Sequence, residues 1–417
     1  MLGRLRKLLG IAPVVKPGER STAAAEERWT LRRWEAAETN RLNSAQWQKV
    51  TGQSINQDLS VDLEPLRTRA EWELSRNPTL EGVVKTFCDD VVGENGPGLQ
   101  AIASDDDQGR AYVRSLERVV AAVFEDIDAA GQRAMADVLR MGLRSLWTAG
   151  EFLEQILTDP AAAGPIAIRL KSIAARRLLT PPAMVANGEV TLGVRRNALG
   201  RPTGYFLAEF QPMANAELYT GRYIEVPAAD LVHEFVVLES GQARGVPWLA
   251  TSLQPMSDLR EYDAQVLDAA RQAADWAIGL YTDHPDADYI EVNEVTEVER
   301  RQIQTMPPGW KPYNFTPPQP ATNYVDYRAE RQRDVGRPAG MPLMTVRLDS
   351  SKHNYSSARF DAQVYRRGIN SVRGWLRRRF LNRLVEVIRR EAELYALANP
   401  QWEHAVLAKK PRSEERR

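Results

Sequence analysis

Leu249–Tyr281 reads LATSLQPMSDLREYDAQVLDAARQAADWAIGLY, and this stretch decides the fold. Its apolar or small positions Leu253, Met256, Leu259, Tyr262, Val266, Leu267, Ala270, Ala274 and Ala277 recur at helical spacing. At ~1.5 Å per residue the helix would run about 45–50 Å. Ala269, Ala270, Ala273, Ala274 and Ala277 make one end narrow enough for close helix contact. The next segment, His284 to Asn323, is polar, has no helical period, and carries Pro285, Pro307, Pro308, Pro312, Pro317, Pro318 and Pro320. A second helix is expected from Tyr324 to Val335. Helix, proline-rich insert and helix predict a protrusion: two helices side by side under a small cap.

Upstream, residues 1–28 read as an arm, basic and amphipathic at Met1–Gly10 but without the apolar core of a signal peptide. Trp29, Trp34, Leu42 and Trp47 suggest surface structure built on helix. Helices are expected over Asp62–Asn77, ended by Pro78 because proline disfavours helical geometry in the residue before it, and over Leu80–Val92, Gln108–Asp128 and Gly131–Trp147. From about 165 the period becomes strand-like: Ile166–Ile173, Val190–Arg196, Gly204–Phe210 and Tyr223–Val226, with a hairpin loop at 197–204. Val232–Leu238 reads as a buried strand. The fold class is mixed α+β, predominantly α, with a helical part at 29–160 and a β-rich part at 161–248.

Downstream, Gly336-Arg337-Pro338-Ala339-Gly340-Met341-Pro342 breaks the chain twice. Asn354-Tyr355-Ser356-Ser357-Ala358-Arg359 follows, readable as a mobile polar loop or as a serine-rich helix cap. Arg359 to Arg390 then holds ten arginines and two acids, Asp361 and Glu386. Leu376, Phe380, Leu384 and Ile388 form an apolar stripe at i, i+4 beside them. Three consecutive arginines, Arg377, Arg378 and Arg379, sweep about 200° of a helix and cannot all face one partner. Phosphate contact by Arg366, Arg367, Arg373, Arg377, Arg378 or Arg379 would be non-specific and salt-sensitive. The competing reading is a solvated amphipathic helix.

The 417 residues are too many for one ordinary core and imply two or three units. Lys+Arg and Asp+Glu both number 55, so only the distribution of charge, basic in the last third, points to a polyanion. Cys88, the only cysteine, sits in an apolar run and reads as a buried structural thiol. No apolar run approaches the ~18 residues of a membrane span. There is no G-x-x-x-x-G-K-[ST] phosphate loop and no G-x-S-x-G elbow. Gly93–Gly98 follows a helix rather than a strand, so it is a turn and not a dinucleotide fingerprint. The four histidines fall in separate elements, and Asp105-Asp106-Asp107 precedes a helix whose dipole it suits. No catalytic residue, metal or cofactor is expected.

Five separated motifs resemble the lambda-type portal family of tailed bacteriophages. They are Leu66–Ala70 with Leu74–Pro78 and Val91–Gly93; Leu146–Phe152; Gly193–Asn197 with Gly200–Tyr205; His233–Phe235 with Gln242–Leu249 and Asp258–Tyr262; and Pro317–Pro320 through Asn354–Arg359. The resemblance implies a portal fold with wing, stem, clip, tunnel loop and crown, assembled as a dodecameric ring. It implies a wing at 29–248, stem helices at 249–283 and 324–335, a clip at 284–323, a tunnel loop at 336–358, a wing/crown helix at 359–398 and a C-terminal tail at 399–417. Family members continue well past the helix ending near Ala398, so the crown is expected to be small. The DNA channel would be lined by Lys352, His353, Asn354, Tyr355, Ser356, Ser357 and Arg359. Implied partners are non-specific double-stranded DNA, the terminase large subunit, the major capsid protein and a head–tail adaptor, in a virion vertex assembled in the host cytoplasm. The alternatives are a ring-forming adaptor of another fold and a DNA-processing enzyme.

Overall fold

The computed structural model describes residues 52–102, 106–161, 165–213, 216–275, 279–282, 310–313, 324–351 and 353–409. The arm 1–28, the helix expected between Trp29 and Trp47, most of 284–323, Lys352 and the tail beyond Lys409 lie outside the described residues.

Among the described residues four helices come first: α1 (Ile55–Arg76), α2 (Pro78–Val92), α3 (Asp107–Glu125) and α4 (Met135–Thr148). The Asn77 side chain accepts from Thr79 N and Leu80 N, capping α2, while Pro78 occupies a first-turn position that needs no amide. Asp106 caps α3 by accepting from Gly109 N. α1 starts seven residues before the expected Asp62. Of the apolar residues in its first turns, Ile55, Leu59, Val61 and Leu63, only Leu59 and Leu63 are buried, so the helical apolar signal there is thin.

Gly150, at φ 83°, stops the helical run. The expected helical part to residue 160 is therefore corrected: β1 (Glu151–Thr158) is a strand. It is central in an antiparallel sheet ordered β2 (Ile168–Ile173), β1, β7 (Leu231–Phe235). Its glutamates at 151 and 154 hide the strand pattern, because both are buried. The expected strand 190–196 is two strands, β3 (Val190–Thr191) and β4 (Val194–Arg196), joined by a two-residue turn with positive φ at Leu192 and Gly193. β5 (Pro202–Met213) and β6 (Ala216–Pro227) complete a four-stranded sheet and are longer than the runs expected at 204–210 and 223–226. The strand expected to Leu238 ends at Phe235, and Val236, Val237 and Leu238 are exposed.

α5 (Ala250–Asp275) is the long helix, 26 residues or about 39 Å. The expectation of helix to 283 is corrected, since β8 (Gly279–Thr282) pairs antiparallel with β9 (Trp310–Tyr313). Gly279 weakens helix, and the apolar and aromatic pair Leu280 and Tyr281 suits a strand. α6 (Tyr324–Gly336) packs along α5, where Tyr324 Oη donates to Asp263 Oδ1 at 2.8 Å. The chain continues through α7 (Leu343–Arg347), α8 (Tyr355–Leu376), a π-helical turn at Arg377–Leu381, and α9 (Asn382–Ala398).

Two apolar clusters hold these elements. The larger gathers α2, α3, α4, α8 and α9 around Trp147, whose ring meets Phe87 at 5.4 Å and Trp248 at 5.6 Å edge-on. The smaller lies between the sheets, with Leu153, Leu178, Val194, Tyr205, Leu207 and Leu231. Phe152 enters the first and Leu153 the second, as the period of two requires of a strand buried on both faces. Cys88 is buried, and burial pushes its thiol up to about 12, which leaves it unreactive.

Candidate nucleic-acid interface

Four motif residues from distant parts of the chain meet at the fully buried Glu151. Its carboxylate accepts from Arg67 Nη2 at 2.8 Å, from Arg244 Nη2 at 2.5 Å and Nε at 2.8 Å, and from the Gly245 amide at 3.0 Å; His233 Nε2 lies at 2.9 Å. Burial alone would raise its pKa, but Arg244, His233 and Arg67 outweigh that and hold it well below the usual carboxylate range. Arg244 also donates to the carbonyls of Leu178, Leu192 and Ala175, and Arg67 to that of Ala149. The arrangement locks α1, β1, β7 and the 239–245 loop to the four-stranded sheet. Its polar atoms are spent on one another, so it positions the surrounding surfaces rather than reacting. Gly245 is required there, since a Cβ would stand 1.9 Å from Gly150 O. Arg67, Glu151 and the group His233, Arg244 and Gly245 belong to three different motifs of the sequence; the one available sequence signal was an acid inside an apolar strand.

Of the two readings of the hexapeptide, mobile polar loop or helix cap, the structure has the cap: it is the start of α8. The Asn354 side chain accepts from Ser357 N at 2.9 Å, and Tyr355 through Arg359 are helical. The span 336–358 is folded chain over much of its length: a 3-10 turn at Arg337–Ala339, α7, and this helix start. Met341 and Val346 are buried in the main cluster and anchor it. Gly336 is helical, and a Cβ there would stand 2.5 Å from Val346 Cγ2, so it permits close packing rather than hinge motion. Leu348 is 82% exposed with a left-handed φ of 51°. Asn354→Ala is expected to lower stability by about 1 kcal/mol, the usual loss of a cap, with the urea midpoint shifting and the helix content at low urea retained.

The structure divides the arginines sharply. Arg373 donates to Val91 O and Asp90 O, satisfying carbonyls at the end of α2. Arg379 pairs with Glu234 at 3.1 Å, Arg383 donates to the carbonyls of Ala228, Ala229 and Leu231, and Arg389 and Arg390 pair with Glu386. Arg373, Arg379 and Arg383 tie the helix to the core, whereas the pairs with Glu386 lie within α9. Arg359, Arg366, Arg367, Arg377 and Arg378 are exposed, and none has an ion-pair partner among the described residues. Arg359 and Arg366 lie within about 20° of each other on α8, with Arg377 on the same side where the π turn begins. His353 and Tyr355 border this end of the helix, Tyr355 79% exposed. A row of unpaired guanidinium groups on a rigid helix can bind phosphates without reading bases. Among the described residues no group of three or more His, Cys, Asp or Glu is placed to hold a metal ion, and no helix is long and apolar enough to cross a membrane.

Solved structures with related chains include "Neck of native GTA particle computed with C12 symmetry", with a TM-score of 0.48 at 14% identity, covering 84% of this chain and 94% of that one. A chain of "Virion of native gene transfer agent (GTA) particle" gives 0.47 at 14% identity, covering 75% and 76%. An HK97-family phage portal protein from Corynebacterium diphtheriae gives 0.34 at 11% identity, covering 72% and 85%. The family described as phage portal protein, lambda family, matches residues 40–373, which is most of the sequence and takes in Glu151 with its partners and α8 as far as Arg373. On that match the chain belongs to the lambda family of phage portal proteins.

Proposed function

We propose that twelve copies of this chain close into a ring at one capsid vertex, and that double-stranded DNA passes through the ring during packaging and ejection. In this reading α5 and α6 are the stem, residues 284–323 the clip, and the segment from Gly336 to Arg359 borders the channel. The terminase large subunit supplies the motor from outside, and the major capsid protein and a head–tail adaptor dock on the ring. The protein itself carries out no covalent step; it positions charge and seals a passage.

The observation that supports DNA contact most directly is the unpaired row Arg359, Arg366 and Arg377, standing on a helix that other arginines bolt down. Tyr355 and Arg359 at its near end offer stacking and phosphate contact without base specificity. Such binding should weaken steeply with salt, by a slope of about one per phosphate neutralised. Replacing Arg359, Arg366 and Arg377 together by Glu is therefore expected to leave the ring mass unchanged while DNA retention falls and its salt slope flattens. Light scattering and filter binding on the same preparation read the two quantities. Unchanged DNA retention by a folded triple variant would show that these charges only solvate the helix.

A further inference from the structure

Two helices expose apolar stripes on the side turned away from their own core, and the charges around those stripes are opposite. On α1 the buried side carries Leu59, Leu63, Ala70 and Leu74. Val61, Pro65, Thr68 and Trp72 fall within about 60° of one another on its outer side, at ~100° per residue. Val61 is 73% and Trp72 43% exposed. Asp58 and Asp62 flank this stripe on one side and Glu64 and Glu71 on the other, all exposed and none ion-paired among the described residues. Arg69 is the unpaired base beside them; Arg76 and Arg260 stack on Trp72 at 4.8 and 4.7 Å.

On α8 the buried side carries Tyr365, Ile369 and Leu376. Phe360, Val364, Arg367 and Ser371 lie on the outer side within about 60°, with Phe360 66% and Val364 44% exposed. Arg367 stands within this stripe and Arg378 follows it, while Arg366 lies about 100° away round the helix; the only acid in α8 is Asp361. Phe360 and Val364 do not suit a phosphate backbone, and four carboxylates on α1 would repel one. An acid-flanked apolar stripe and an arginine-flanked apolar stripe suit each other.

Their placement matters as much as their chemistry. α2 packs against α1 and also against α8, where Tyr365 Oη donates to Asp90 Oδ2 at 2.9 Å. α2 thus lies between α1 and α8, and each stripe is on the side of its helix opposite that helix's buried residues. A ring built from identical chains needs this kind of head-to-tail contact, in which two different faces of one subunit are complementary.

We propose that the outer face of α1 on one subunit packs on the outer face of α8 on the next, with Val61 and Trp72 against Phe360 and Val364, and with Asp62, Glu64 and Glu71 facing Arg367 and Arg378. The pairing rests on the ring reading above and names the surfaces that make it. It leaves the row of Arg359, Arg366 and Arg377, about 100° round the helix, free for another ligand.

The test uses the full chain. Asp62→Arg with Glu64→Arg should lower the assembled fraction about tenfold at micromolar protein, the effect of ~1.4 kcal/mol per contact, as read by sedimentation. Adding Arg367→Glu and Arg378→Glu should bring it back to within about twofold of wild type. Independently, a chain carrying both Val61→Cys and Val364→Cys should give a ladder of covalent multimers on mild oxidation, whereas either single variant should not. A full ring from the α1 variant together with no ladder from the double-cysteine chain would overturn the pairing while leaving the ring reading intact. So would an Arg367→Glu, Arg378→Glu variant that assembles fully but loses DNA retention, because the stripe would then face nucleic acid. A wild-type chain that stays monomeric overturns the ring reading and the pairing with it.

Discussion

Glu151→Ala is expected to destabilise the protein by about 3–5 kcal/mol, enough to unfold it or to prevent its accumulation. The loss does not come from the ion pairs as such. It comes from Arg67 and Arg244, which remain buried and facing each other with no counter-charge, and from the Gly245 amide, which loses its acceptor. Glu151→Gln keeps the shape but not the charge and should lie between alanine and wild type. The acid side follows from the depressed pKa: the stability this carboxylate contributes is present above its ordinary value of 4.5 and is lost as pH falls through the lower folded value. Urea unfolding at pH 7 measures the first effect, and a Glu151→Ala chain with wild-type midpoint would sink the account.

Glu154 on the same strand should behave in the opposite sense. It is 1% exposed, and its hydrogen-bond donor is the single hydroxyl of Ser172 at 2.9 Å, so burial dominates and pushes its pKa up to about 8. Arg133 lowers that value only in part, since it forms its ion pair with Asp128 at 3.0 Å. The neutral acid is the form the fold prefers. Stability should therefore be full below about pH 4.5, fall as pH rises, and level off above about 8. At ~1.4 kcal/mol per unit the upper bound of that loss is about 5 kcal/mol. Glu154→Gln removes the titration while keeping a polar group for Ser172, so its urea midpoint should be nearly flat between pH 5 and 8 and exceed wild type at pH 8. A wild-type profile already flat over that interval would refute it.

The two glutamates explain why β1 was hard to see in the sequence. Glu151 and Glu154 occupy positions where a buried strand would normally read as apolar, and the helix before it ends at Thr148, only two residues ahead of the strand. The opposite case is α2: Leu80, Val83, Val84, Phe87, Cys88 and Val91 announce a helix at one glance because their spacing is set by local geometry. α6 was also placed to within one residue, since Tyr324 and Gly336 bound a segment between proline-rich chain and a Gly/Pro turn. The hexapeptide at Asn354 had two readings open, loop or cap, and local hydrogen bonding from Ser357 N selected the cap.

The sequence by itself determined the helices, the approximate extent of the β-rich part and the family, because helical spacing, turn residues and motif order are local properties of the chain. It also determined that the last third is rich in arginine. Which arginines are free was decided only by the tertiary structure. Arg373, Arg379 and Arg383 find carbonyls and a carboxylate that lie 145 to 283 residues away, and an ion pair depends on the approach of two elements, not on the spacing within either. The same holds for Glu151, whose partners Arg67, His233 and Arg244 are brought to it from both directions along the chain. Charge was legible from residue types; its commitment to core or to surface required the fold.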